Sequence, residues 1–115
     1  MKKYIIIFLI TILFIYQKRD GIHDFFYTPP NYAQAHDVEV IMYGTSWCGW
    51  CAKTRALLEK NNITYFEYDI ETSREGYEQY IDLGGRGVPV LQIGGKIVKG
   101  YNPSRMLKLV KEMEL

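Results

Sequence analysis

The stretch Ser46-Trp47-Cys48-Gly49-Trp50-Cys51-Ala52-Lys53 holds both cysteines and both tryptophans of the 115-residue chain. Two thiols three positions apart fit a structural staple, half of a metal site, or a working redox pair. The flanking sequence weighs these readings. Val38–Tyr43 is rich in Val, Ile and Tyr and reads as a strand. Thr45 and Ser46 can cap a helix that begins near Cys48 and stops at Asn61-Asn62. Cys48 then sits in the first turn, where free backbone N–H groups and the helix dipole favour a thiolate. Cys51 lies about one turn on, along the same face. One sulfur can attack a disulfide and the other can resolve the mixed disulfide. A staple between such near neighbours closes almost no loop and stabilises little. A zinc site needs about four ligands, and only His23 and His36 could join the pair. Lys53 and Arg55 add positive charge in the same turns and read first as solvated helix surface.

Downstream the punctuation is regular. Ile63–Ile70 is a second strand. Thr72-Ser73-Arg74-Glu75 matches a capping box with Thr72 at the cap, opening a helix that ends at Gly84-Gly85. Val88–Ile93 and Lys96–Val98 flank Gly94-Gly95, a two-residue hairpin turn. Asn102-Pro103 is a cap with proline at the first helical position, and Met106, Leu109, Val110 and Met113 share one helical face. The order β-α-β-α-β-β-α makes an α/β domain: a four-stranded mixed sheet with flanking helices. Pro89 at a strand start is unusual, because proline cannot donate to the ladder. A cis Val88–Pro89 bond accounts for it and leaves the Val88 backbone free for an extended peptide; a trans proline that merely starts the strand is the alternative.

The domain occupies residues 38–115. Residues 1–17 read as a membrane anchor or signal segment: Lys2-Lys3 precede the uncharged run Tyr4–Tyr16. As a helix that run spans roughly 20 Å against a hydrocarbon core of about 30 Å. Snorkelling of Lys2, Lys3, Lys18 and Arg19 would cover the gap. A cleaved signal would have its nearest small-residue site far off, at Ala33-Gln34-Ala35. Both readings place the domain on the extracytoplasmic side, anchored or secreted. Residues 18–37, with Gly21, Pro29-Pro30 and no sustained period, read as a linker that carries an apolar patch of Ile22, Phe25, Phe26 and Tyr27. Overall, 48% hydrophobic and 23% charged residues fit a globular domain. A net charge of +1 gives no reason to expect nucleic acid.

Taken in order, Tyr43-Gly44-Thr45-Ser46-Trp47-Cys48-Gly49-Trp50-Cys51, Tyr68-Asp69-Ile70, Gly84-Gly85-Arg86-Gly87-Val88-Pro89, Gly94-Gly95 and Gly100-Tyr101 resemble the glutaredoxin family of the thioredoxin-like fold. The resemblance covers about residues 38–115. It implies a thiol–disulfide oxidoreductase with Cys48 as nucleophile and Cys51 as resolving cysteine. Val88 and Pro89 match the segment that holds substrate by its backbone. Gly100, Tyr101 and Asn102 match the turn that receives the glutamyl end of glutathione. Arg86 stands near the glycyl carboxylate, and Trp50 joins this surface. The implied partners are disulfide-containing proteins and either glutathione, as co-substrate, or a thioredoxin-reductase-type electron donor; no tightly bound cofactor is implied. Three features depart from the family pattern. Thr45 replaces a frequent basic residue. Asn102-Pro103 replaces an acidic residue and looks like variants reduced by thioredoxin reductase. Gly49-Trp50 replaces Pro-Tyr, and some members without that proline carry an iron–sulfur cluster between two protomers.

Overall fold

The structure, a computed structural model, describes residues 1–17 and 28–114. The patch Ile22, Phe25–Tyr27, together with His23, Lys18 and Arg19, lies outside the described residues. The domain is built from β1 (Val40–Gly44), α2 (Gly49–Lys60), β2 (Tyr65–Asp69), α3 (Arg74–Asp82), β3 (Val90–Ile93), β4 (Lys96–Lys99) and α4 (Pro103–Met113), preceded by α1 (Lys2–Gln17) and a short 3-10 helix, Tyr32–His36. The strand order is β2-β1-β3-β4. β1 runs parallel to β2, with Val40 opposite Tyr65 and Gly44 opposite Asp69, and antiparallel to β3, with Tyr43 opposite Val90. β4 pairs antiparallel with β3. The fold class expected from the sequence is therefore the one observed.

Every residue of β1 is buried, because helices cover both faces of the sheet. Alternate side chains divide between two cores. Val40 and Met42 pack with Leu58, Leu91, Met106 and Leu109 beneath α2 and α4. Ile41 and Tyr43 pack with Tyr68, Tyr80 and Leu83 beneath α3 and with Ala33 of the 3-10 helix. The hairpin turn at Gly94-Gly95 has positive φ at both residues, +56° and +83°, which only glycine adopts freely.

Residues 30–36, read from the sequence as the end of a linker, lie against the sheet. The fully buried Gln92 accepts from the Tyr32 amide at 2.9 Å and donates to the Pro30 carbonyl at 2.8 Å. His36 stacks on Phe66 with centroids 3.8 Å apart, and its Nε2 lies 2.6 Å from the Tyr68 hydroxyl.

The expectation of a membrane-anchored or secreted, extracytoplasmic domain is corrected here. Among the described residues, no helix is long and apolar enough to cross a membrane. The apolar run does fold as a helix, but α1 has 16 residues, about 24 Å at about 1.5 Å per residue, and Lys2 and Lys3 lie inside that length. The anchored reading needs a span, and α1 does not supply one.

Candidate active site

β1 ends at Gly44, and the chain turns through Thr45–Trp47 to bring Cys48 to the start of α2. Neither Thr45 nor Ser46 caps this helix. Cys48 is itself the N-cap, with extended backbone (φ −78°, ψ 117°), and its sulfur accepts the Cys51 N–H at 3.1 Å. A sulfur in that place satisfies one of the orphan donors of the first turn. Cys48 keeps a sliver of exposure, 7%, whereas Cys51 is at 0%. Both thiols are free. Cys51 is pushed from 9.0 up to about 12, first by burial and next by its hydrogen bond with Cys48; a backbone hydrogen bond with Thr45 and the charge of Arg55 act in the opposite direction.

Arg55, expected on the solvated face, is held. Its guanidinium grips Glu67 on β2 with two hydrogen bonds of 2.7 Å and donates to the Thr45 carbonyl at 2.9 Å. Positive charge missing from position 45 thus enters from one turn beyond Cys51. Thr45 is 2% exposed, and its hydroxyl has no partner among the described residues. Lys53 lies over the Trp50 ring, 4.4 Å from its centroid.

The second half of the site comes from the segment before β3. The Val88–Pro89 bond is cis, as the sequence favoured. The Cys48 thiol points to the Val88 carbonyl at 3.9 Å. Val88 itself packs against both cores. The Pro89 carbonyl accepts from Gly100 N at 2.8 Å, which ties the start of β3 to the turn after β4. Beyond that turn Tyr101 stacks on Trp50, centroids 5.6 Å apart. The structure therefore brings Cys48, Cys51, Val88, Pro89, Gly100, Tyr101 and Trp50 to one end of the sheet. Asn102 caps α4, its Oδ1 accepting from Arg105 N at 3.2 Å. Arg86 is exposed and lines a cavity of about 200 Å³ with Gly87, Val88, Lys99 and Gly100. A larger depression of about 920 Å³ lies at the other end of β1, around Val38, Asn62 and Val110, and contains neither cysteine. Among the described residues no three His, Cys, Asp or Glu side chains stand close enough to hold a metal ion.

Sequence reasoning missed two partners of the site's segments: Glu67, which Arg55 grips, and Tyr80, whose hydroxyl donates to the Gly87 carbonyl. Glu67 is an acidic residue in mid-strand, a signal in itself, but its pairing with Arg55 depends on how α2 crosses the sheet. Tyr80 was assigned only to a helix.

The glutaredoxin family model matches residues 40–98, just over half of the chain. An uncharacterized glutaredoxin-like 8.6 kDa protein in the rubredoxin operon of Clostridium pasteurianum is 32% identical over 72 residues, 62% of this chain and 96% of that protein. The crystal structure of a glutaredoxin from Archaeoglobus fulgidus is similar with a TM-score of 0.60 and 27% identity, over 74% of this chain and 99% of that one. The glutaredoxin-like NrdH-redoxin of Escherichia coli shares the fold, with a TM-score of 0.56 and 21% identity over 61% of this chain and 92% of that one.

Proposed function

This chain belongs to the glutaredoxin family, and so to a family of thiol–disulfide oxidoreductases; from that premise we propose that it reduces protein disulfides or glutathione mixed disulfides by dithiol exchange through Cys48 and Cys51. The observation that carries the reading is the stacking of the two thiols: one at the open helix start beside the Val88 carbonyl, the other enclosed one turn below.

The Cys48 thiolate attacks one sulfur of the substrate. A Cys48–substrate bond forms, the substrate S–S bond breaks, and the departing thiolate takes a proton from water. Val88 receives the substrate chain through its backbone. Capture also changes Cys51. Its hydrogen bond with the Cys48 sulfur, one cause of its raised pKa, is lost, while the Thr45 backbone and Arg55 continue to favour its thiolate. Cys51 then gives its proton to solvent, attacks Cys48 and releases the second substrate thiol. Two electrons have passed to the substrate, and the protein holds a Cys48–Cys51 disulfide. Two glutathione thiols, or the dithiol of a thioredoxin-reductase-type donor, restore it. Tyr101 and Trp50 form the aromatic surface beside the donor, with Gly100, Asn102 and Arg86 around it. The Asn102-Pro103 helix start favours the reductase-type donor over glutathione.

The test is equilibration of the Cys48–Cys51 pair against a glutathione buffer, followed by peptide-disulfide turnover with each donor. The expected potential is about −200 to −230 mV, with turnover by at least one donor. A potential near −120 mV without turnover would make the protein an oxidant and contradict the reading.

A further inference from the structure

Tyr80 lies on the inner face of α3, 6% exposed, in the core on the side of the sheet away from α2. Its hydroxyl leaves that core and donates to the Gly87 carbonyl at 3.0 Å. Gly87 precedes the residue whose carbonyl faces Cys48 at 3.9 Å. Among the described residues the one cis bond is Val88–Pro89, so the Gly87–Val88 peptide is trans. In a trans unit the C=O and the N–H point in opposite directions. Tyr80 holds the carbonyl end towards α3, and the Val88 N–H is thereby aimed away from α3.

The chain between α3 and β3 is built around this ring. A Cβ on Gly85 would stand 2.3 Å from Tyr80 Cε2 and 2.5 Å from Cδ2, closer than any real contact, so only glycine lets the loop cross the ring. Gly85 N also donates to the Tyr80 carbonyl at 2.9 Å. Burial, and then the nearby Tyr77, raise the Tyr80 hydroxyl's pKa, so it remains a donor throughout the neutral range.

We propose that Tyr80 is a positioning residue for the Val88 peptide unit, fixing the direction of the backbone amide that receives an extended disulfide-bearing peptide. The proposal rests on the reading of Val88 as the substrate-pairing residue. Tyr80 touches no substrate. It acts through the Gly87 carbonyl, and its influence falls on substrates that have a backbone to pair.

The test compares the full chain with its Tyr80→Phe variant, in which only the hydroxyl is lost. The reduced protein is mixed with a disulfide-linked peptide or with bis(hydroxyethyl) disulfide, which has no amides. For the peptide, the half-saturating concentration should rise about fivefold to tenfold with Tyr80→Phe, while the limiting rate and the rate on the small disulfide stay within about twofold. Gly85→Ala, which displaces the ring, should give the same selective loss. Equal slowing of both substrates, or no change in either, overturns the positioning role and leaves the exchange chemistry standing. If the unaltered protein reduces neither disulfide, the oxidoreductase reading falls and takes this role with it.

Discussion

At the scale of single residues, the proposed exchange rests on unequal treatment of two identical side chains. Cys48 is at the surface end of the helix; Cys51 is enclosed and pushed up to about 12, chiefly by burial. A raised pKa means that the proton is kept as pH rises, so at pH 8 Cys51 stays a thiol. Iodoacetamide at pH 8 should therefore place one adduct on the reduced folded protein, at Cys48, with Cys51 labelled only as the pH approaches 12 or the chain unfolds. Rapid double labelling at pH 8, read by mass spectrometry, would contradict this. Both cysteines were legible in the sequence, because a Cys-x-x-Cys at a helix start needs only local reasoning. Arg55 and Tyr80 were not. Arg55 meets Glu67 across an α2–β2 contact, and Tyr80 meets Gly87 across a loop; neither partner is set by spacing along one element.

At the scale of elements, types and order could be read, and boundaries moved by a residue or two. The expected cap at Thr72 is Ser73, whose hydroxyl accepts from Gly76 N at 3.0 Å. The cap of α2 is the Cys48 sulfur rather than Thr45 or Ser46. A cap is chosen by which side chain reaches a free N–H two or three residues on, and neighbouring candidates cannot be ranked without the backbone. The segment around the 3-10 helix carried no period, so its attachment to β3 could not be foreseen. That attachment gives a prediction. Gln92→Leu removes both bonds to the Tyr32 amide and the Pro30 carbonyl, and should cost about 1–3 kcal/mol in urea unfolding, with faster amide exchange at residues 30–36. Unchanged stability and exchange would show that the segment is held by something else.

At the scale of the whole molecule, the cysteines and the Val88 segment meet because β1 lies between β2 and β3. The carboxyl end of β1 feeds Cys48, and the start of the antiparallel β3 returns to the same end with Val88-Pro89. Such strand ends are where open α/β sheets place their ligands. The order of elements predicts a mixed four-stranded sheet but not its strand order, so the meeting of Cys48 with Val88-Pro89 was implied only by the family resemblance. The N-terminal run misled because snorkelling side chains were expected to cover its shortfall in length, and the helix it forms has too little apolar length to span. The central claim is that Cys48 attacks and Cys51 resolves. Its most direct measurement is capture by the Cys51→Ser protein of a disulfide-linked peptide, with the joined residue identified by mass spectrometry. The account predicts a stable mixed disulfide at Cys48, absent from Cys48→Ser; a protein that forms no adduct, or that still reduces the peptide with Cys48 replaced, would contradict it.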